Sequence, residues 1–197
     1  MEPTPTLARR FWAAIEPLHA VVYFAPEPAE AMRAIGLRGY WMGYFASRVA
    51  PLGPVPAEAV GALAYGFAPH LVARAIPDAW KFASPEKVLD ARIASAASML
   101  RQHLKDPAPL DELGELLWQG IEGCRFDGRP LSAAWSAVPR PDDPAAAAWV
   151  AATIVREHRG DGHVLAGVAN GLRGLDATLT FVATGAIPRS LVQPTRG

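Results

Sequence analysis

The chain has 197 residues, 51% of them hydrophobic, and its 19 Lys and Arg balance 19 Asp and Glu. A chain of this length and composition can bury a hydrophobic core in one or at most two domains, and a disordered chain is excluded. The net charge is zero and the chain has only three lysines, Lys81, Lys87 and Lys105. The sequence therefore shows no excess of basic residues that would bind nucleic acid or anionic lipid, and we expect no nucleic-acid partner.

Proline and glycine divide the sequence into predicted helices, because proline is tolerated in a first helical turn and glycine often follows the last one. Strand signals are weak, since the few β-branched clusters lie inside patterns of helical period. The predicted fold is therefore all-α, a single-domain bundle of about nine helices over residues 1–197. The helices of the first half are expected at residues 7–24, 28–35, 37–49, 56–65 and 69–77, the first of them kinked at Pro17.

The second half of the chain begins with the clearest helix start. Ser84, Pro85 and Glu86 combine a capping hydroxyl, a proline suited to the first turn and a carboxylate that favours the positive helix end. This helix is expected to reach residue 104 and to bury Leu89, Ile93, Leu100 and Leu104. The other helices are expected at residues 110–123, 131–137, 144–170 and 175–184, with a candidate linker at 138–144 and a candidate break at Gly160 and Gly162.

The segment 156–163 places polar and glycine residues inside a helix that is otherwise rich in Ala and Val. At about 100° per residue, Glu157 and Asp161 fall on the same narrow stripe as the apolar residues of this helix and point toward the core. His158 lies at the edge of that stripe. Burying an unpaired carboxylate costs several kcal/mol unless it is protonated or partnered, so Glu157 and Asp161 are expected to have a partner.

A candidate partner lies on the third helix. Arg48 shares a helix face with Trp41 and Tyr44, and a guanidinium there could bridge Glu157 or Asp161 with two hydrogen bonds while it stacks on an aromatic ring. We therefore predict a ligand-binding pocket between the first, third and longest helices, with these polar side chains at its base. The ligand-binding residues of that pocket are expected to be Arg48, Tyr44, Trp41, His19, Glu157, His158 and Asp161.

The same residues allow two other interpretations. Glu157, His158 and Asp161, with His19 from the first helix, are residue types that bind iron, manganese or zinc, and helical bundles carry such ligands on inward faces. They would form a divalent transition-metal site in a metal-dependent enzyme, with His19 as a further ligand or as general base. A buried ion-pair network that only fixes the helix register needs no ligand at all.

Several segments resemble one uncharacterised family of actinobacterial helical proteins that is often labelled helix-turn-helix. The likeness covers most of the chain and lies in EPLHAVVYFAPE (16–27), LRGYWMGYFASRVAPLG (37–53), residues 65–80 and REHRGDGHV (156–164). Members of the family continue after a Thr-Arg-Gly, such as the one at residues 195–197, into a winged-helix segment. The resemblance implies that this segment is absent here, so the chain is expected to make no DNA contact of its own.

These observations lead to three functional hypotheses. The first is a cytoplasmic small-molecule-binding domain, sensory or accessory, with a polar site between its helices. The second is the metal-dependent enzyme, and the third is a structural or interaction module. A single cysteine, Cys124, favours a reducing compartment, and the longest apolar run, residues 145–155, is too short to span a bilayer. We expect a small-molecule partner, no membrane partner and a candidate homodimer.

Overall fold

The computed structural model describes residues 4–104, 106 and 108–183, and these residues form helices and turns with no strand among them. The helices are α1 (Pro5–Phe24), α2 (Pro26–Ala34), α3 (Gly39–Val49), α4 (Ala57–Leu63), α5 (Pro69–Ala73), α6 (Ala79–Phe82), α7 (Pro85–His103), α8 (Pro109–Glu122), α9 (Pro130–Ser136), α10 (Pro144–Ala169) and α11 (Gly174–Ala183). A 3-10 turn, Ala50–Leu52, follows α3. The prediction of an all-α bundle is confirmed.

The three longest helices begin in the same way. Thr4, Ser84 and Asp143 cap α1, α7 and α10, and each is followed directly by a proline in the first turn. Each capping side chain accepts a hydrogen bond from the backbone amide three residues later, at 3.2, 3.3 and 2.8 Å. This satisfies amides that have no partner within the helix, so local sequence fixes where these helices begin.

The N-terminal half of α10 forms the centre of the bundle. Every residue from 145 to 154 is buried, and most of them are alanine. Because alanine lets helix backbones approach closely, α1, α7, α8 and α9 all pack against α10. Trp149 of α10 and Trp135 of α9 are fully buried and meet edge to face, with ring centroids 5.8 Å apart. One hydrophobic core has members from α1 to α10.

The structure differs from the predicted helices in two places. The helix expected at residues 69–77 ends at Ala73, and a short helix that was not predicted, α6, follows Pro77. The candidate break at Gly160 and Gly162, which the sequence left open, does not occur, because α10 is one helix from Pro144 to Ala169. Residue 184, the predicted end of the last helix, and residues 195–197 lie outside the described residues. Within the described part of the chain, no helix is long and apolar enough to cross a membrane.

Candidate functional site

Glu157 is the centre of a buried ion-pair network between α3 and α10. It is fully buried, and its two oxygens accept hydrogen bonds from Arg48: Oε1 from Nε at 2.9 Å and Oε2 from Nη2 at 2.8 Å. This is the two-pronged pairing that matches a guanidinium to a carboxylate. Nη1 of the neighbouring Arg156 donates to Oε1 at 2.9 Å. The structure therefore contains the ion pair expected from the sequence, with a second arginine added to it.

The charges of this network stabilise one another. Burial alone would raise the pKa of Glu157, but Arg48 and Arg156 hold that pKa well below its ordinary value. Burial would lower the pKa of Arg48, and the charge of Glu157 raises it well above its usual range. The network is therefore fully charged at neutral pH. Because the arginines already occupy both oxygens of Glu157, the network is closed and does not form the open floor of a pocket.

His19 is completely buried beside the network. Its ring stacks on Trp149 with a centroid distance of 5.9 Å and lies 5.3 Å from the ring of Tyr23. Neither ring nitrogen has a hydrogen-bond partner among the described residues. Burial, followed by the charges of Arg156 and other arginines, lowers the pKa of His19 well below its ordinary value. His19 is therefore a neutral residue packed inside the bundle.

Asp161 lies one turn after Glu157 and has a different partner. Its Oδ2 accepts the backbone N–H of Ser132, in the first turn of α9, at 2.8 Å. Burial raises the pKa of Asp161, while the hydrogen bonds from Ser132 oppose that rise. A carboxylate at the positive end of a helix is favourable. Asp161 therefore joins α9 to α10 and makes no ion pair with Arg48.

His158 faces the connection between α8 and α9 and not the network. Its Nε2 lies 2.9 Å from the backbone oxygen of Arg125, and its ring meets that of Phe126 edge-on, 5.8 Å between centroids. The structure therefore does not bring His158 to Glu157 as a shared ligand set. No three His, Cys, Asp or Glu side chains among the described residues are placed to hold a metal ion together.

The two aromatic residues of the expected site belong to a cluster around α3. Trp41, Tyr44, Phe45 and Phe67 have ring centroids between 5.2 and 5.8 Å apart. Burial raises the pKa of Tyr44, and the charge of the nearby Arg48 opposes that rise. Of the seven expected residues, the structure gathers Arg48, Glu157, Tyr44 and His19, and Trp41 contacts this group through the ring of Tyr44. His158 and Asp161 have other partners.

Three arginines that the sequence analysis did not assign to a site lie on α10 or on segments that contact it. Arg159 lies over the ring of Trp12 in α1, 4.7 Å from its centroid, and Arg9 precedes Trp12 by three residues, on the same side of α1. On the opposite side, Nη1 of Arg129 donates to the backbone oxygen of His158. None of the three forms an ion pair with a described carboxylate. We call Arg9, Arg129 and Arg159 the arginine face.

Gly162 makes room for one side of the arginine face. A Cβ at this position would lie 3.2 Å from Cζ of Arg129 and closer still to its terminal nitrogens. The guanidinium therefore crosses α10 where the helix has no side chain. The glycine was visible in the sequence, but the position of Arg129 depends on the path of the α8–α9 connection, which helical periodicity does not predict.

Two pairs of consecutive helices are joined by a four-residue turn that contains a glycine with positive φ. Residues 35–38 join α2 to α3 with Gly36 at φ 100°, and residues 170–173 join α10 to α11 with Gly171 at φ 69°. Turns of this length, often with a glycine, connect the helices of helix-turn-helix units. Most of α3 is buried, whereas α11 exposes Leu175 and Leu179 by 57% and 52%. Of the two helices that follow these turns, α3 and α11, it is α11 that has a surface accessible to a partner.

Comparison with known proteins supplies the family. A model described as a helix-turn-helix family matches residues 8–197, while the comparisons with curated proteins and with solved structures gave no match. Since the helix-turn-helix is a DNA-binding motif, the match contradicts the expected small-molecule function, its two alternatives and the absence of a nucleic-acid partner. Net charge is summed over the whole chain, so a value of zero does not exclude a local group of basic side chains. The match spans nearly the full length, so the chain belongs to a helix-turn-helix family, as the resemblance implied.

Proposed function

We propose that the protein is a DNA-binding regulator and that α10 and α11 are its helix-turn-helix. The observation that carries this proposal is the family match over residues 8–197. In this motif the second helix lies in the major groove, and the first crosses the DNA backbone. We assign α11 as the second helix because the alternative, α3, is largely buried and has no free face to insert.

The turn before α11 carries an arginine suited to a phosphate contact. The side chain of Arg173 is 85% exposed and donates to Asp176 from Nε at 2.8 Å and from Nη2 at 3.0 Å. An ion pair this exposed contributes little to folding, so Arg173 can exchange the carboxylate for a DNA phosphate. The amides at the N-terminus of α11 favour an anion at the same end of the helix.

The arginine face supports phosphate contacts along α10. Arg159 lies within about three helical turns of the turn at residues 170–173, and Arg129 and Arg9 flank the same stretch of helix. Because these arginines lack a carboxylate partner among the described residues, DNA phosphates would be their counter-ions. Phosphate contacts position a protein on DNA and bases specify the sequence, so α11 is assigned to base recognition. The predicted cytoplasmic location remains part of this proposal.

Fluorescence anisotropy with a labelled DNA duplex of random sequence tests the proposal. We expect binding whose logarithmic affinity falls linearly with the logarithm of salt concentration. Arg173→Ala is expected to weaken binding severalfold. Arg140→Ala, which also removes an exposed arginine paired with a carboxylate, that of Glu115, is expected to leave it unchanged. A protein that fails to bind at low salt, or that loses affinity equally in both variants, would contradict the proposal.

A further inference from the structure

A cavity of about 470 Å³ lies between the end of α1 and helices α2, α3 and α7, away from the surface assigned to DNA. Its walls include Tyr23, Met32, Tyr40, Tyr44, Ser47 and Arg92. A cavity of this size, with apolar and aromatic walls and a few polar groups, is typical of sites for small organic molecules. Tyr40 is 52% exposed, so the cavity reaches the protein surface.

Arg92 brings a buried positive charge to this cavity. It is 4% exposed, and its guanidinium donates to two neutral oxygens: Oγ of Ser47 from Nη1 at 2.7 Å and the hydroxyl of Tyr23 from Nη2 at 3.1 Å. Its Nε has no hydrogen-bond partner within the described part of the chain. None of the described carboxylates forms an ion pair with Arg92. A buried charge without a counter-ion is costly, so this guanidinium favours an anion beside it.

The described groups around the cavity do not supply that anion. The buried carboxylate of Glu157 is already shared by Arg48 and Arg156. The other arginine that lines the cavity, Arg33, has an exposed side chain and pairs with Glu30 at 3.8 Å. Glu27, between the cavity-lining Pro26 and Pro28, has a buried Oε2 without a described hydrogen-bond partner, but it forms no ion pair with Arg92. Within the described part of the chain, the guanidinium of Arg92 is therefore left without an ion-pair partner.

We infer that this cavity binds an organic monocarboxylate, with the carboxylate beside Arg92 and the apolar body against Met32 and the tyrosine rings. One carboxylate matches the single charge of the guanidinium and accepts its donors in a compatible geometry. The apolar walls add affinity for a hydrophobic body. The inference goes beyond DNA binding and does not depend on it. It is also separate from the site expected between α3 and α10, with which the cavity shares only Tyr44.

Calorimetric titration of the whole chain with two pairs of probes tests this inference. Octanoate and phenylacetate are expected to bind with one molecule per chain, while their neutral analogues octanol and phenylethanol bind at least tenfold more weakly, because a charge-assisted hydrogen bond is absent. The Nε proton of Arg92 is expected to shift in the NMR spectrum when octanoate is added. Equal affinity for acid and alcohol, or no binding of either acid, would overturn the inference.

Two substitutions separate binding from folding. Arg92→Gln is expected to lower octanoate affinity about tenfold or more, but it also removes the bonds to Ser47 and Tyr23. Ala29→Phe keeps Arg92 and fills the cavity that Ala29 lines, so it should abolish binding in a folded protein. Ala34→Phe places the same side chain at an exposed position of α2 and should bind octanoate like the wild type. Octanoate binding that survives Ala29→Phe would place the acid elsewhere and refute the inference.

Discussion

Two groups of arginines in this protein lie in environments that differ in burial and in whether a carboxylate partner is present. Arg48 and Arg156 lie between helices and share the buried Glu157. Arg9 and Arg159 are exposed and have no carboxylate partner among the described residues. The same side chain therefore holds helices together in the first environment and remains available to an anion in the second.

Helix α10 contributes to both environments within a few residues. Arg156 donates to Glu157 in the buried network, while Arg159 is exposed and lies over the ring of Trp12 in α1. A step of three residues on a helix changes the direction of a side chain by about 60°, and here that step separates the interior from the surface. The zero net charge of the chain is therefore compatible with ion pairs inside the bundle and with a local excess of arginine at its surface.

The largest effect is expected from removing the buried carboxylate. Glu157→Gln leaves Arg48 and Arg156 buried without a counter-ion, which should lower the free energy of unfolding by about 3–5 kcal/mol. Urea denaturation measures this change. The matched control is Glu115→Gln, which removes an exposed carboxylate paired with Arg140 and should not measurably shift the urea midpoint. Similar midpoints for Glu157→Gln and Glu115→Gln would show that burial does not distinguish the two environments.

A smaller effect is expected from His19, whose pKa is held well below its ordinary value of about 6.5. The folded state keeps His19 neutral, while the unfolded state gains a proton as pH falls below that value. Folding stability should therefore drop on acidification, by about 2 kcal/mol from this residue between pH 7 and pH 5. His19→Phe should remove that part of the pH dependence in urea titrations at both pH values. A variant whose stability falls with pH as steeply as the wild type would contradict the neutral, buried state.

The smallest effect compares two glycines within helices. Gly120→Ala in α8 meets no described atom within 4 Å and should stabilise the protein by about 0.5–1 kcal/mol, because alanine favours helix. Gly162→Ala should gain less, since its Cβ displaces the guanidinium of Arg129. Thermal unfolding of the two variants measures the difference. An equal rise in melting temperature would mean that Arg129 does not depend on Gly162 for its position.

The parts of the fold that depend on local signals could be predicted. Ser84 and Asp143 cap their helices, as the sequence indicated, because a cap and the proline after it act within one turn. The core face of α7 was predicted only in part. Leu100 is buried as expected, but Leu89, Ile93 and Leu104 are half-buried. The residues buried in their place include Val88, Arg92 and Ala96. An arginine on a buried stripe goes against hydrophobic periodicity, and only the neighbouring helices determine that Arg92 lies inside.

The polar site was predictable in part for a similar reason. The position of Glu157 on an apolar stripe indicated a buried charge, and Arg48 on an aromatic face indicated its partner. Helical periodicity could not show that Asp161 bonds to Ser132 or that His158 faces Arg125, because both contacts depend on the path between α8 and α9. The arginine face was missed for the same reason, since its members come from three separate elements.

The salt dependence of DNA binding tests the central claim most directly. The triple variant Arg9→Ala, Arg129→Ala, Arg159→Ala removes the arginine face, and Arg33→Ala, Lys81→Ala, Lys87→Ala removes three exposed cations elsewhere. Because the first variant can no longer neutralise three of the DNA phosphates, its log–log slope of affinity against salt should become shallower by about 2.7. The second should keep the wild-type slope. Equal slopes in all three proteins would contradict an interface at the arginine face.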